Sequence, residues 1–120
     1  VKILIVDDST AMRMIVRKTL RLAGFEGHDF SETDDGMKAL AIIKSGPPDL
    51  VLSDWNMPNM TGIELLENLT KDGVKIKFGF ITTEATPDMR QRATAAGASF
   101  LISKPFTPES FKEALKGHIK

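Results

Sequence analysis

The chain has no cysteine. That excludes a disulfide framework, a thiolate metal site and a thiol nucleophile, and it fits a reducing compartment such as the cytoplasm. An excess of one charge is also missing, since 16 Lys and Arg stand against 16 Asp and Glu. No global field is left to hold DNA, RNA or an anionic membrane, so neither nucleic acid nor membrane is an expected direct partner. No apolar run reaches the length needed to cross a bilayer, and no signal peptide is visible. The chain opens at Val1 without Met, which reads as a trimmed or processed start. A length of 120 residues suits one domain, 1–120, around one core.

What is present is a regular alternation. Ile3 to Val6 and Leu50 to Ser53 are short apolar runs of the kind buried on both faces of a parallel sheet. Ile76 to Ile81 and Ser99 to Ser103 read as further strands, and Phe25 to Ser31 as a weaker one towards a sheet edge. Between them lie helical patterns. Ser9 or Thr10 caps a helix with Met12, Ile15, Val16, Leu20 and Ala23 at core spacing and Arg13, Arg17, Lys18 and Arg21 on other faces. Asp34-Asp35-Gly36 opens a second, with Met37, Ala39, Leu40, Ile42 and Ile43, and Thr61 a third, with Ile63, Leu66 and Leu69 inward. Thr86-Pro87 and Thr107-Pro108 each give a cap followed by Pro at the first helical position. The last helix carries Phe111, Ala114, Leu115 and Ile119. Five strands alternating with five helices predict an α/β fold, a doubly wound parallel sheet covered on both faces.

In such a sheet the loops after the strands leave from one edge, where ligands bind. That edge collects Asp7 and Asp8 after the first strand, Asp54 after the third, Thr82 after the fourth and Lys104 after the fifth. Taken singly, each has a bland role. Asp7-Asp8 is a cap and dipole partner, Thr82 a strand end, Lys104 a solvated charge. Together they point to a site. Three close carboxylates repel one another, and Mg2+ relieves this, because it takes oxygen ligands, keeps waters and shares its shell with phosphate. The backbone carbonyl of Asn56 offers a further, neutral oxygen. A carboxylate nucleophile, a metal, a lysine and a hydroxyl make an apparatus for phosphoryl transfer to Asp54. Trp55, directly after Asp54 in a loop, is expected to be partly exposed.

These residues resemble the receiver domains of bacterial two-component response regulators along essentially the whole chain. Ser53-Asp54-Trp55-Asn56-Met57-Pro58-Asn59-Met60, Ala96-Gly97-Ala98-Ser99 and Lys104-Pro105-Phe106-Thr107 look especially like the CheY-like chemotaxis branch. The resemblance implies a flavodoxin-like strand order, 2-1-3-4-5, and a signalling switch without turnover of outside substrates. A sensor histidine kinase of the chemotaxis type would donate phosphate to Asp54 with Mg2+ required. Hydrolysis, aided where a phosphatase partner exists, would reset it. By position, Asp8 would ligate the metal and Asp7 reach it through water. Thr82 and Lys104 would bind the phosphoryl group, with a cis peptide bond at Lys104-Pro105. Asn56 and Glu84 would tune hydrolysis. Output to a motor switch or another protein would leave a monomer through the face formed by the fourth helix, fifth strand and fifth helix. Where the family usually carries Tyr or Phe, three residues before the lysine, this chain has Leu101, with Phe100 beside it. Strand alternation sends those two to opposite faces. Rival readings are a small Mg2+-dependent phosphohydrolase with an aspartate nucleophile, a receiver that only drains phosphate, and a flavodoxin-like cofactor binder. Against the last, the loop Asp7-Asp8-Ser9-Thr10 is acidic and lacks the glycines of a phosphate cradle.

Overall fold

Period-2 alternation in the strands builds two cores, one on each side of a single sheet. A computed structural model describes residues 1–25, 27–57, 59–83 and 85–116. Its strands are β1 (Lys2–Val6), β2 (Asp29–Thr33), β3 (Leu50–Asp54), β4 (Lys77–Thr82) and β5 (Phe100–Ser103). Its helices are α1 (Thr10–Leu22), α2 (Gly36–Ser45), α3 (Gly62–Lys71), α4 (Pro87–Ala96) and α5 (Pro108–Leu115). The sheet runs β2-β1-β3-β4-β5 with every neighbouring pair parallel, the expected doubly wound order. Ile3 and Ile5 of β1 and Leu50 and Leu52 of β3 face Val16, Leu20 and Phe111 on the α1 and α5 side. Leu4, Val6, Val51, Phe78 and Phe80 face Ile43, Ile63, Leu66 and Leu69 on the α2 and α3 side. Phe78, Phe80 and Phe111 are fully buried, each contributing roughly 1.5–3 kcal/mol by area.

The caps fall where the sequence puts them. Ser9 Oγ accepts from the Met12 N–H, and Asp35 accepts from the Lys38 N–H. Thr61 and Glu64 form a reciprocal capping box, and Thr86 and Thr107 cap the two helices that begin with Pro. Two expectations need correction. The second strand begins at Asp29, not Phe25, because its pairing with β1 starts at Lys2 opposite Asp29. This edge strand is held to α1 by polar contacts, so its apolar content was a poor guide. Ile15, Met37 and Ile42 are exposed, since α1 and α2 bury only narrow stripes, Val16 and Leu20 in one, Ala39 and Ile43 in the other. Ile119 lies outside the described residues.

The helices differ in how firmly they are anchored. α3 buries Ile63, Leu65, Leu66 and Leu69, whereas α4 buries only Ala93 and Ala96. What α4 lacks in apolar burial it replaces with polar ties to α3. Thr70 Oγ1 donates to the Ala96 carbonyl at 2.9 Å, and Arg92 pairs with Glu67 at 3.3 Å.

β5 shows the alternation in Phe100 and Leu101. Leu101 packs with the α2–α4 core and Phe100 with the α1–α5 core. Phe100 stands in register with Gly79 of β4, and its ring lies where a Gly79 side chain would be. Gly79→Ala should therefore displace the ring and cost about 1–3 kcal/mol in urea unfolding. In a double-mutant cycle with Phe100→Leu the cost should shrink, because the ring that clashes is gone. Strictly additive losses would mean the two positions do not share this space.

Candidate functional site

The carboxyl ends of β1, β3 and β5 deliver their charges to one point. β1 ends at Val6, so Asp7 and Asp8 enter the turn before α1. Asp7 is held on both sides: its N–H donates to the Thr33 carbonyl at 3.2 Å, and its Oδ1 accepts from the Ser9 N–H at 2.9 Å. Asp54 closes β3, and its Oδ1 accepts from the Trp55 N–H at 2.9 Å. Lys104 follows β5, and its N–H donates to the Thr82 carbonyl at 2.7 Å. Its peptide bond to Pro105 is cis, as the resemblance implied. The Lys104 Nζ then lies 3.6 Å from Asp54 Oδ1 and 3.8 Å from Asp7 Oδ2.

Asp7, Asp8 and Asp54 each place one carboxylate oxygen within 4.8 Å of the others. Only Lys104 among the described residues forms ion pairs with this group. Burial pushes the Asp7 carboxyl up to about 6; the Ser9 N–H draws it back, the charge of Asp54 adds to the rise and Lys104 opposes it. Asp54 is raised by the same burial, with Lys104 and the Trp55 N–H pulling down and Asp8 pushing up. The set is hard, anionic and oxygen-only, which suits a small divalent cation and not a soft one.

Of the other residues singled out in the sequence, Thr82 is buried at the end of β4, level with Ser103 of β5. Asn56 is exposed in the loop just past Asp54. Leu101 is half-buried, and Pro105 is exposed beside Lys104. Glu84 lies outside the described residues. Trp55 corrects an expectation: it is 8% exposed, its ring 4.8 Å from that of Phe80. It continues the alternation of β3 past Asp54, so the side chain turns into the α3-side core while its backbone stays bonded to the Asp54 carboxylate.

One residue the sequence reading passed over is Gly62. A Cβ there would run into the Asp54 carbonyl oxygen, and the Gly62 N–H donates to the Trp55 carbonyl at 2.8 Å. The start of α3 is thus pressed against the backbone that presents Asp54. A signal existed: glycine at the first turn of a capped helix sacrifices helix propensity, and close approach is a reason to accept that.

The raised Asp7 gives a pH dependence with a definite sign. In the unfolded chain its pKa is near 3.8, and in the metal-free fold about 6, so the fold holds the proton more tightly. This group's contribution is intact below about pH 4 and is lost as pH rises through 6. Asp7→Asn should therefore unfold at the same temperature as the parent near pH 4 but be more stable at pH 7.5 by about 1–2 kcal/mol in metal-free buffer. A variant no more stable at pH 7.5 would contradict the origin of the shift.

Residues 3–116 match the family model described as the response regulator receiver domain. The chain is 45% identical over 116 residues to the chemotaxis protein CheY-3 of Vibrio cholerae serotype O1, covering 95% of this chain and 88% of that one. It is 41% identical over 117 residues to the chemotaxis protein CheY of Pseudomonas aeruginosa, with 96% and 93% covered. Among solved structures, Vibrio cholerae chemotaxis protein CheY4 superposes with a TM-score of 0.83 at 35% identity, covering 98% of each chain. With a family model spanning nearly all of it and the acid cluster on the edge of a 2-1-3-4-5 sheet, the chain belongs to the response regulator receiver domain family.

Proposed function

We propose that this chain is a phosphorylation-controlled signalling switch of the chemotaxis type, with Asp54 as phosphoacceptor. The observation that carries the proposal is the placement of Asp54 Oδ1, 3.6 Å from the Lys104 ammonium and beside the oxygens of Asp7 and Asp8 at the ligand edge of the sheet. Asp8, Asp7, Asp54 and the Asn56 carbonyl would hold Mg2+. When bound, that ion supplies positive charge to offset the carboxylates and the incoming phosphoryl oxygens.

The chain's own groups have distinct tasks. An Asp54 carboxylate oxygen attacks phosphorus of a kinase phosphohistidine. The new P–O bond forms as the P–N bond breaks, and the electron pair leaves on the imidazole, which takes up a proton. Lys104 neutralises a phosphoryl oxygen, and Thr82, buried beside it, hydrogen-bonds another. Reset is attack of water on phosphorus, breaking the acyl phosphate P–O bond and returning the carboxylate, unaided or with a phosphatase partner. Tuning by Asn56 and Glu84 belongs to this second step. The chain acts on its own acyl phosphate and is not a turnover enzyme. The setting is the cytoplasm, with a chemotaxis-type histidine kinase as donor; no described helix is long and apolar enough to cross a membrane.

Output would leave through α4, β5 and α5, which enclose a groove of about 380 Å3 lined by Arg90, Leu101, Ser103 and Glu113. A phosphate adds about one to two negative charges and three acceptors at Asp54. Thr82 drawn towards it shifts the loop into α4, the helix with the least apolar anchorage. Leu101 repacks against that change where an aromatic would rotate, so the helix and its loop carry more of the difference than β5 does. In amide-resolved NMR with beryllofluoride and Mg2+, shifts should cluster at Thr82 to Arg92 and Phe100 to Lys104. Shifts confined to Asp7, Asp8 and Asp54 would favour a receiver that only drains phosphate.

Acetyl phosphate with Mg2+ should add one phosphoryl group to the intact chain, and Asp54→Asn should abolish that mass increase; full labelling of the variant would refute the assignment. Trp55 shares a hydrogen bond with Asp54 through its N–H, so its fluorescence should report Mg2+. Asp8→Ala should weaken the response at least tenfold. An unchanged response would place the metal elsewhere.

A further inference from the structure

The helical spacing of α1 puts Arg13 away from the core stripe, yet its side chain is only 13% exposed. All three guanidinium nitrogens are engaged. Nε donates to Glu32 Oε1 at 3.0 Å, Nη2 to Thr10 Oγ1 at 3.1 Å, and Nη1 to the backbone carbonyl of Asp7 at 2.6 Å. The other oxygen of Glu32 accepts from Arg17 Nη1 at 2.7 Å. Arg17 in turn lies over the Phe30 ring, 5.6 Å from its centroid. Edge strand β2 is thereby tied to α1, and one arm of the tie ends on the backbone of the acidic turn.

We infer that Arg13 is a positioning residue for the acid pair, clamping the Asp7 carbonyl so that the Asp7 and Asp8 carboxylates keep their aim at the cation. This rests on reading those carboxylates as metal-holding. Among the described residues the other restraints on the turn fall on Asp7, which is also ion-paired with Lys104 at 3.8 Å. Asp7 is bonded to Thr33 and Ser9, while Asp8 is exposed and follows wherever its peptide plane is set. The carbonyl of Asp7 belongs to the peptide that begins Asp8, so a fixed carbonyl fixes the direction from which the Asp8 side chain departs. The effect is geometric. The positive charge of Arg13 is already paired with Glu32, and what it gives the turn is a hydrogen bond of defined direction. Lysine carries its three donors on one nitrogen at the end of a flexible stem, so it could not reach Glu32, Thr10 and Asp7 at the separations the planar fork spans. Groups one bond removed from metal ligands commonly change metal affinity by about 10–100-fold when altered.

The test is a Mg2+ titration of the full chain read by Trp55 fluorescence, alongside thermal unfolding in metal-free buffer. Arg13→Lys keeps the charge and loses the fork; it should weaken Mg2+ binding about tenfold or more. Arg17→Ala breaks the other half of the Glu32 pair without touching Asp7, and should stay within about twofold of the parent. Glu32→Gln weakens the anchor of Arg13 from β2, leaves the acidic turn unaltered, and should lose affinity by an intermediate factor. If Arg13→Lys fails to fold, Glu32→Gln against Arg17→Ala decides the matter. Unchanged affinity in Arg13→Lys overturns the inference. So does an equal loss in Arg17→Ala, which would make the arrangement a structural tie only. A parent chain with no Mg2+ response at all overturns the metal reading itself, a result distinct from either.

Discussion

Unbalanced negative charge at the ligand edge of the sheet governs this molecule. Three carboxylates converge where β1 and β3 end, and among the described residues one ammonium, Lys104, pairs with two of them, Asp54 at 3.6 Å and Asp7 at 3.8 Å. At those separations attraction to one lysine cannot offset both the mutual repulsion and the burial of Asp7 and Asp54, and the raised carboxyl pKa values express the deficit. The rest of the fold bears that cost. Two full cores on either side of the sheet supply the apolar burial that keeps such a site closed in the absence of a cation. The local backbone is also held by neutral bonds, from the Asp7 N–H to the Thr33 carbonyl and from the Lys104 N–H to the Thr82 carbonyl, while the Ser9 and Trp55 N–H groups donate to the carboxylates themselves.

Much of this was legible in the sequence because strong local signals agreed with the global pattern. β1 and β3 are apolar on both faces, so their positions could be read from composition alone. Thr61, Thr86 and Thr107 cap helices as the sequence foretells, the last two by the Pro that follows each. The convergence of Asp7, Asp8, Asp54 and Lys104 followed from one rule about parallel sheets.

What was not legible depends on contacts between distant segments. β2 was placed too early because an edge strand stabilised by Glu32 with two arginines carries little apolar signal. Trp55 was expected near the surface because its neighbours read as loop, whereas its burial is decided by Phe80 on another strand. Gly62 and Arg13 act on the backbone of Asp54 and Asp7, from α3 and α1 respectively. A residue whose partner is a main-chain carbonyl leaves no pairing signature in side-chain chemistry. Gly79 leaves none for a different reason, since it has no side chain and its partner is the ring of Phe100.

The distribution of rigidity follows from the same charge imbalance. A switch needs one end fixed enough to bind and another loose enough to answer. Under α3 the sheet is sealed by four large aliphatic side chains, and Gly62 presses that helix onto the strand that presents Asp54. The acidic turn is pinned to β2 and α1. On the opposite side of Thr82, α4 buries two alanines and packs the half-buried Met89 of its first turn against the same core, and among the described residues its two polar ties to α3 lie near its middle and C-terminal end. Its first turn, next to the loop from β4, is capped by Thr86 and carries the half-buried Met89 against the core. Adding a phosphoryl group would put about one to two negative charges at the rigid end, against the positive charge of a bound cation. The displacement that relieves it should appear where apolar anchorage is thinnest, in α4.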